Sequence, residues 1–260
     1  KVQGVGVCVI GRPNVGKSTL INRILGEERV VAYDMPGTTR DSIFIPFEKD
    51  DKKYTLVDTA GIRRKSRIDN VVEKFSVIKA IETIQLSHVC ILMFDAHEGV
   101  FEQDLHLIRL VVEAGKGVMI VLNKWDGLSH EEKNKIKSEL SRRLEFIPFA
   151  PIYYISAKHG TGVGKLLPIV DIIYESCTRE LKTPVLTRIL EEAVIQNPPP
   201  LVRGRRIKLR YAHSGGRNPP IIVIHGNQTE SLPDQYKRYL MNLFREALKL
   251  KGTPIKLEFK

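Results

Sequence analysis

VGVCVIGRPNVGKSTLINRIL, residues 5–25, runs from a short apolar stretch through a glycine-bounded octet into a helical pattern. The octet GRPNVGKS, Gly11 to Ser18, fits G-x-x-x-x-G-K-[ST]. Its place after a strand and before a helix turns a pattern match into a physical expectation. Gly11 and Gly16 let the backbone of Arg12, Pro13, Asn14 and Val15 curl so that N–H groups converge on phosphate oxygens. The helix N-terminus adds its positive end, Lys17 reaches the β and γ phosphates, and Ser18, followed by Thr19, places a hydroxyl on Mg²⁺. The competing reading is a glycine turn with an incidental lysine, and the flanking elements weigh against it.

Outward from this octet, strand-like runs alternate with helical patterns to about residue 178. YTLVD, VCILMFD, VMIVLN and PIYYIS read as strands. VVEKFSVIKAIETI, EQDLHLIRLVVEA, EEKNKIKSELSRRL and VGKLLPIVDIIYES read as helices. This order predicts an α/β fold with a mostly parallel sheet covered on both faces, whose ligands bind at the carboxyl ends of the strands. Near residue 180 the pattern changes. Thr183-Pro184 predicts a helix N-cap followed by proline at the first helical position. NPPP stops that helix, RRIKLRYAH and PPIIVIHG predict strands, and a helix runs from Pro233 to about Lys249 with Gly252 as its stop. PIKLEFK predicts a last strand. The expected organisation is residues 1–180 as one domain and 181–260 as a small α+β domain of order α-β-β-α-β.

Composition narrows the partners. Hydrophobic residues make up 42% of the 260 and aromatics 7%, which suits a globular chain. The longest apolar runs are strand-sized and well short of the roughly 18 residues of a membrane helix. The chain opens at Lys1 without methionine or a signal-peptide pattern. Cys8, Cys90 and Cys177 lie far apart, which fits packing in a reducing, cytoplasmic setting better than a disulfide or zinc framework. Of the net +11, residues 181–260 carry +9, from 15 Lys and Arg against 6 Asp and Glu. An almost neutral first part joined to a basic second one points to a polyanionic partner.

Three further motifs follow the octet in order. Asp58 ends YTLVD, where its carboxylate can hold magnesium through water; Thr59 and Ala60 lead to Gly61, whose backbone N–H can approach a γ-phosphate. Upstream, PGTTRD offers Thr38 and Thr39 as a second hydroxyl ligand, with Thr39 preferred. NKWD, Asn123, Lys124, Trp125 and Asp126, follows VMIVL. The Asp126 carboxylate accepts from the ring N–H and exocyclic amine of guanine, a donor pair that adenine lacks, while the Lys124 stem lies along the base. Ser156, Ala157 and Lys158 supply backbone N–H groups after PIYYI. Four elements in this order predict a guanine-nucleotide site.

The phrases GRPNVGKSTLINRILGEERVVAYDMPGTTRDS, DTAGIRRK, VEKFSVIKAI, NKWDGLS and SAKHGTGVGKL resemble the bacterial ribosome-assembly GTPases Der, also called EngA. PPPLVRGRRIKLRYAHSGG, NPPIIVIHGNQ and LPDQYKRYLMNLFREAL resemble that family's C-terminal KH-like domain. The family carries two consecutive GTPase domains and this chain holds one, so the resemblance implies the second GTPase domain plus the tail, a piece of a longer protein whose first GTPase domain is a further partner. It also implies a GTP-hydrolysing switch that binds GTP and GDP and acts in assembly of the large ribosomal subunit. The alternative is a nucleotide-regulated RNA-binding module whose slow hydrolysis is incidental.

In Ras-like enzymes a glutamine after the switch glycine orients water, and Ile62 cannot. The resemblance implies a potassium ion beside the β and γ phosphates, held by Asn14 and carbonyls around Tyr33 to Gly37. An arginine from a partner and feeble hydrolysis stay open, as does a plain loop role for Asn14. Arg63, Arg64, Lys65 and Arg67 form either a solvated face or the part of the switch that a partner feels. In the tail, Arg203, Arg205, Arg206, Lys208 and Arg210 suit phosphate backbones. Strict alternation would put Arg206, Lys208 and Arg210 on one face and Ile207, Leu209 and Tyr211 on the other. No G-x-x-G lies between helices, so docking on folded ribosomal RNA and packing against the GTPase domain remain the two readings of this cluster.

Overall fold

A computed structural model describes residues 1–26, 30–32, 44–57 and 77–260, with the segment 30–32 described by its backbone alone. Within them the chain divides into two compact units, Lys1–Tyr174 and Glu175–Lys260.

The first unit is built on a seven-stranded sheet among the described residues. Its strands are β1 (Val5–Ile10), β2 (Val30–Ala32), β3 (Phe44–Lys49), β4 (Lys52–Val57), β5 (Val89–Asp95), β6 (Gly117–Asn123) and β7 (Ile152–Tyr154), in the order β2-β3-β4-β1-β5-β6-β7. From β4 to β7 every pairing is parallel. β5 and β6 are buried along their whole length, as their unbroken apolar runs require of central parallel strands. Among the described residues its helices are α1 (Lys17–Leu25), α2 (Val77–Leu86), α3 (Glu102–Glu113), α4 (His130–Arg143) and α5 (Leu166–Thr178), the last of which runs past Tyr174 into the second unit. Cys90, Leu92 and Phe94 of β5 share one core with Ile84 of α2, Leu105 and Ile108 of α3 and Leu140 of α4. Ile91 and Met93 alternate with them toward the opposite face.

β2 and β3 are antiparallel additions that hydrophobic patterning did not single out. Pro46 lies inside β3, and a proline in an apolar run argues against a strand. The β3–β4 turn carries its own signature: Asp50 and Asp51 both have positive φ, 50° and 62°, the backbone that a two-residue hairpin needs to match strand twist.

The second unit contains α6 (Thr183–Gln196), the two-residue strands β8 (Leu201–Val202) and β9 (Arg205–Arg206), β10 (Lys208–Gly216), β11 (Ile221–Asn227), α7 (Asp234–Leu248) and β12 (Lys256–Phe259). β10 pairs antiparallel with β11, and β12 parallel with it. Leu186, Ile189 and Leu190 of α6 and Leu240 and Phe244 of α7 bury against Ala212, Ile222 and Ile224, so both helices cover one face of this sheet.

Three local expectations are corrected here. The N-cap of α6 is Lys182, and Thr183 is already helical, with Pro184 in the first turn. α7 stops at Lys249, which takes the left-handed cap conformation at φ 52°, three residues before Gly252. Tyr211 does not share a face with Ile207 and Leu209. The register slips between Leu209, opposite Gly226, and Tyr211, opposite His225, so Arg210 is an extra residue and Tyr211 turns to the face away from the helices. Just beyond this bulge, Thr187 Oγ1 of α6 accepts from the Ala212 N–H at 3.2 Å and donates to its C=O at 3.1 Å. One hydroxyl thereby satisfies two backbone groups on an edge strand. Thr187→Val leaves both without a partner and is expected to lower stability by about 1–3 kcal/mol. Urea unfolding, with faster hydrogen exchange at Ala212, measures the loss.

Candidate nucleotide site

The loop between β1 and α1 closes against the sheet through its two glycines. A Cβ on Gly11 would lie 2.5 Å from the carbonyl oxygen of Met93 in β5, and one on Gly16, whose φ is 109°, would lie 2.1 Å from Asn123 Nδ2. Any other residue at either place pushes the loop off the strand ends. Between them Asn14 takes φ 68°, a left-handed conformation that asparagine tolerates better than most side chains, and it is exposed. Val15 is buried beneath the loop. Lys17 folds back over the loop, its ammonium donating to the carbonyls of Gly11 at 2.6 Å and Arg12 at 3.1 Å. Ser18 and Thr19 follow in the first turn of α1.

Asn123 ends β6 and is 3% exposed. Its amide donates to the carbonyl of Val15 at 2.8 Å, and its oxygen accepts from the N–H of Ala157 at 2.9 Å. One buried side chain thus joins the octet to the Ser156–Lys158 loop, which are 108 and 34 residues away in sequence. Lys124, at φ 61°, places its ammonium 2.6 Å from Asp95 Oδ2 and 3.0 Å from the Asn14 carbonyl. From α1, the Arg23 guanidinium donates to the carbonyls of Ala157 and Lys158.

Asp126 lies where these loops meet. A hydrogen bond from Ser156 holds its carboxyl below the usual carboxylate range, with Lys158 and His159 adding positive charge. His159 Nε2 is 3.2 Å from Asp126 Oδ2. Trp125, although within the same motif, turns its ring onto Tyr154, centroids 4.2 Å apart, and packs against the core. The ammonium groups of Lys133 and Lys137 lie 5.6 and 5.9 Å from its ring centroid.

Arg12 points away from the octet's centre. Its Nε donates to both oxygens of Asp104, at 3.1 and 3.2 Å, and its guanidinium lies 3.9 Å from the centroid of the Phe101 ring. Arg12 Nη2 sits 3.2 Å from Glu98 Oε2, an ion-pair distance without hydrogen-bond alignment. Asp104 is fully buried and also accepts from the N–H of Phe101 at 2.8 Å, closing the first turn of α3. Burial pushes its carboxyl up, against the pull of the Phe101 N–H and Arg12.

The described structure thus brings Gly11 to Thr19, Asn123 to Asp126 and Ser156 to Lys158 to one edge of the sheet, at the carboxyl ends of β1 and β6. Thr38, Thr39, Asp58, Thr59, Ala60, Gly61, Ile62, the carbonyls of Tyr33 to Gly37 and the cations Arg63 to Arg67 lie outside the described residues. No cluster of three or more metal-ligating His, Cys, Asp or Glu side chains occurs among the described residues. Sequence reasoning missed Asp95, Arg23 and Asp104. Asp95 had a signal, as the polar end of an apolar strand; Arg23 and Asp104 had none, because their partners lie 134 and 92 residues away.

Comparison with known proteins matches two separate stretches of the chain. A family described as 50S ribosome-binding GTPase matches residues 6–124, and one described as KH-domain-like of EngA bacterial GTPase enzymes, C-terminal, matches residues 180–260. The protein named GTPase Der from Marinomonas sp. (strain MWYL1) is 58% identical over 258 residues, which are 99% of this chain and 58% of that one. Its namesake from Legionella pneumophila (strain Lens) is 60% identical over 258 residues, 99% of this chain and 56% of that one. Among solved structures, translation elongation factor SelB from Methanococcus maripaludis, in complex with the GTP analogue GppNHp, superposes with a TM-score of 0.51 at 19% identity, over 70% of this chain and 36% of that one. That likeness shows the fold alone. With identity near 60% running the length of both compact units, the chain belongs to the Der (EngA) family of GTPases, of whose compared members it spans a little over half the length.

Proposed function

We propose that the chain binds guanine nucleotide at the carboxyl edge of its seven-stranded sheet and hydrolyses GTP to GDP and phosphate, as a switch acting in assembly of the large ribosomal subunit. The observation that carries this reading is the buried Asn123 amide, which fixes the octet and the Ala157 loop around Asp126. The octet binds phosphates through its curled backbone and Lys17; Asp126 selects guanine; the Ser156–Lys158 loop closes the base pocket. Gly61 brings a backbone N–H to the γ-phosphate. Ser18, Thr39 and Asp58 are oxygen donors and suit Mg²⁺, a hard cation, which when bound neutralises charge on the β and γ phosphates. Asn14 supports the potassium reading by presenting an exposed side chain at the rim of the loop while Lys124 occupies its carbonyl.

Residues 1–180 act in this reading as the second GTPase domain and 181–260 as the KH-like domain, in the cytoplasm of the cell. The partners are ribosomal RNA of the large subunit and the family's first GTPase domain. The β8–β9 hairpin supports an RNA partner. Its tip residues Arg203 and Gly204 have φ 51° and 73°, and Arg203, Arg205 and Arg206 are exposed, with Lys208 and Arg210 following on β10. The same hairpin favours the second reading, an RNA-binding module with slow incidental turnover. Single-turnover hydrolysis with and without large subunits separates the two: a rate unchanged by subunits and slower than release excludes the switch.

Asp126→Asn is expected to weaken GDP by about 30-fold or more, the effect of roughly 2 kcal/mol of lost pairing. Trp125, the single tryptophan, reports binding from the adjacent position. Ser156→Ala removes the main cause of the low Asp126 pKa, so the carboxylate protonates at higher pH and the acid limb of GDP binding moves upward in pH. A limb that stays in place refutes the Ser156 assignment. If potassium occupies the Asn14 position, hydrolysis is faster in potassium than in sodium buffer and Asn14→Asp alters that ratio; equal rates in the two buffers exclude it.

A further inference from the structure

The bulge at Arg210 creates a surface that strict alternation would have hidden. Because Tyr211 is opposite His225 and His213 opposite Val223, all three rings stand on the face of the β10-β11-β12 sheet that α6 and α7 do not cover. Tyr211 and His225 are parallel, with centroids 4.5 Å apart and planes 8° apart. His213 braces the pair from one side: its Nε2 lies 2.9 Å from Nε2 of His225, so one nitrogen donates and the other accepts. Tyr211 remains 43% exposed despite this stack.

The charges around the rings are mostly of one sign. Lys208 lies on the same face, opposite Asn227, and Arg210 projects from the bulge beside Tyr211. Lys256 of β12 is on this face but farther off, opposite Ile221, four positions along β11 from His225, and all three cations are exposed. Glu258, opposite Val223, is the one carboxylate that β10, β11 and β12 put on this face. Parallel rings with an exposed member, bordered by cations, are the elements of a surface for unpaired nucleotides. Every base has a π-face to lay on an aromatic ring, and the phosphates between bases need positive charge.

We propose that the outer face of the β10-β11-β12 sheet binds single-stranded RNA, with a base stacked on Tyr211, His225 and His213 holding that ring in place, and Lys208 and Arg210 taking the flanking phosphates. The inference rests on the RNA partner proposed above and adds to it a base-stacking site distinct from the cationic β8–β9 hairpin. Stacking is tolerant of sequence, so the site discriminates strandedness rather than base identity.

Fluorescence anisotropy tests it with the 260-residue chain, a fluorescein-labelled 12-nucleotide single-stranded RNA and a 12-base-pair RNA duplex. Tyr211→Ala is expected to weaken the single strand by about 5- to 100-fold and to leave the duplex unchanged. Tyr211→Phe, which keeps the ring, holds wild-type affinity for both. Should the alanine variant fail to fold, Tyr211→Leu, which keeps an apolar side chain without a π-face, takes its place with the same expectation. Unchanged single-strand binding in the folded variant overturns the stacking site and leaves the RNA partner standing, as does an equal loss for both probes. If the wild-type chain binds neither probe at low salt, the RNA partner and the stacking site fall together, and this face belongs to a protein contact.

Discussion

The candidate site depends on one amide group. Asn123 sits at the end of a fully buried strand, and its two polar atoms are spent on two different loops, the carbonyl of Val15 on one side and the N–H of Ala157 on the other. Leaving a buried backbone group unpaired costs about 1–3 kcal/mol, so neither loop moves freely without the other. The close approach of Gly16 follows from the same contact, since the amide nitrogen stands where a side chain at position 16 would begin. Lys124 and Arg23 then tighten the assembly, the first by tying Asp95 to the Asn14 carbonyl and the second by holding the carbonyls of Ala157 and Lys158. The unit is a set of loops with little freedom of their own, arranged around a carboxylate that its neighbours keep ionised.

What the sequence made legible, and what it did not, divides along the range of the interactions. The octet, NKWD and the Ser156 loop are short phrases whose residues act within a few positions of each other, and the strand–helix alternation that carries them is a local periodicity. The alternation is found in the folded sheet for that reason, and the three phrases meet at one edge of it. Asp104 and Arg23 gain their roles only when segments distant in the chain meet, and nothing near them announces the partner. β3 was hidden by Pro46, a residue that lowers strand propensity without forbidding the strand.

Tyr211 is the most instructive miss. Alternation is a reliable guide only while register holds, and one added residue inverts every side chain beyond it. The slip depends on pairing with β11, and the displaced backbone is supported by Thr187 of α6, which lies 25 residues before its partner Ala212. A reader of RRIKLRYAH alone places the ring in the core; the folded sheet places it outside, beside His225.

The Arg12–Asp104 pair has a consequence for the entropy of the site. A single buried carboxylate closes the first turn of α3 and grips the second residue of the octet, with the Phe101 ring lying against the same guanidinium. The octet is therefore ordered before any anion reaches it, and ordering that is already in place is not charged against binding. Asp104, on another helix and turned toward the core, thereby sets how much disorder must be lost on encounter. In this fold the readiness of the anion cradle is a property of α3 as much as of the loop itself.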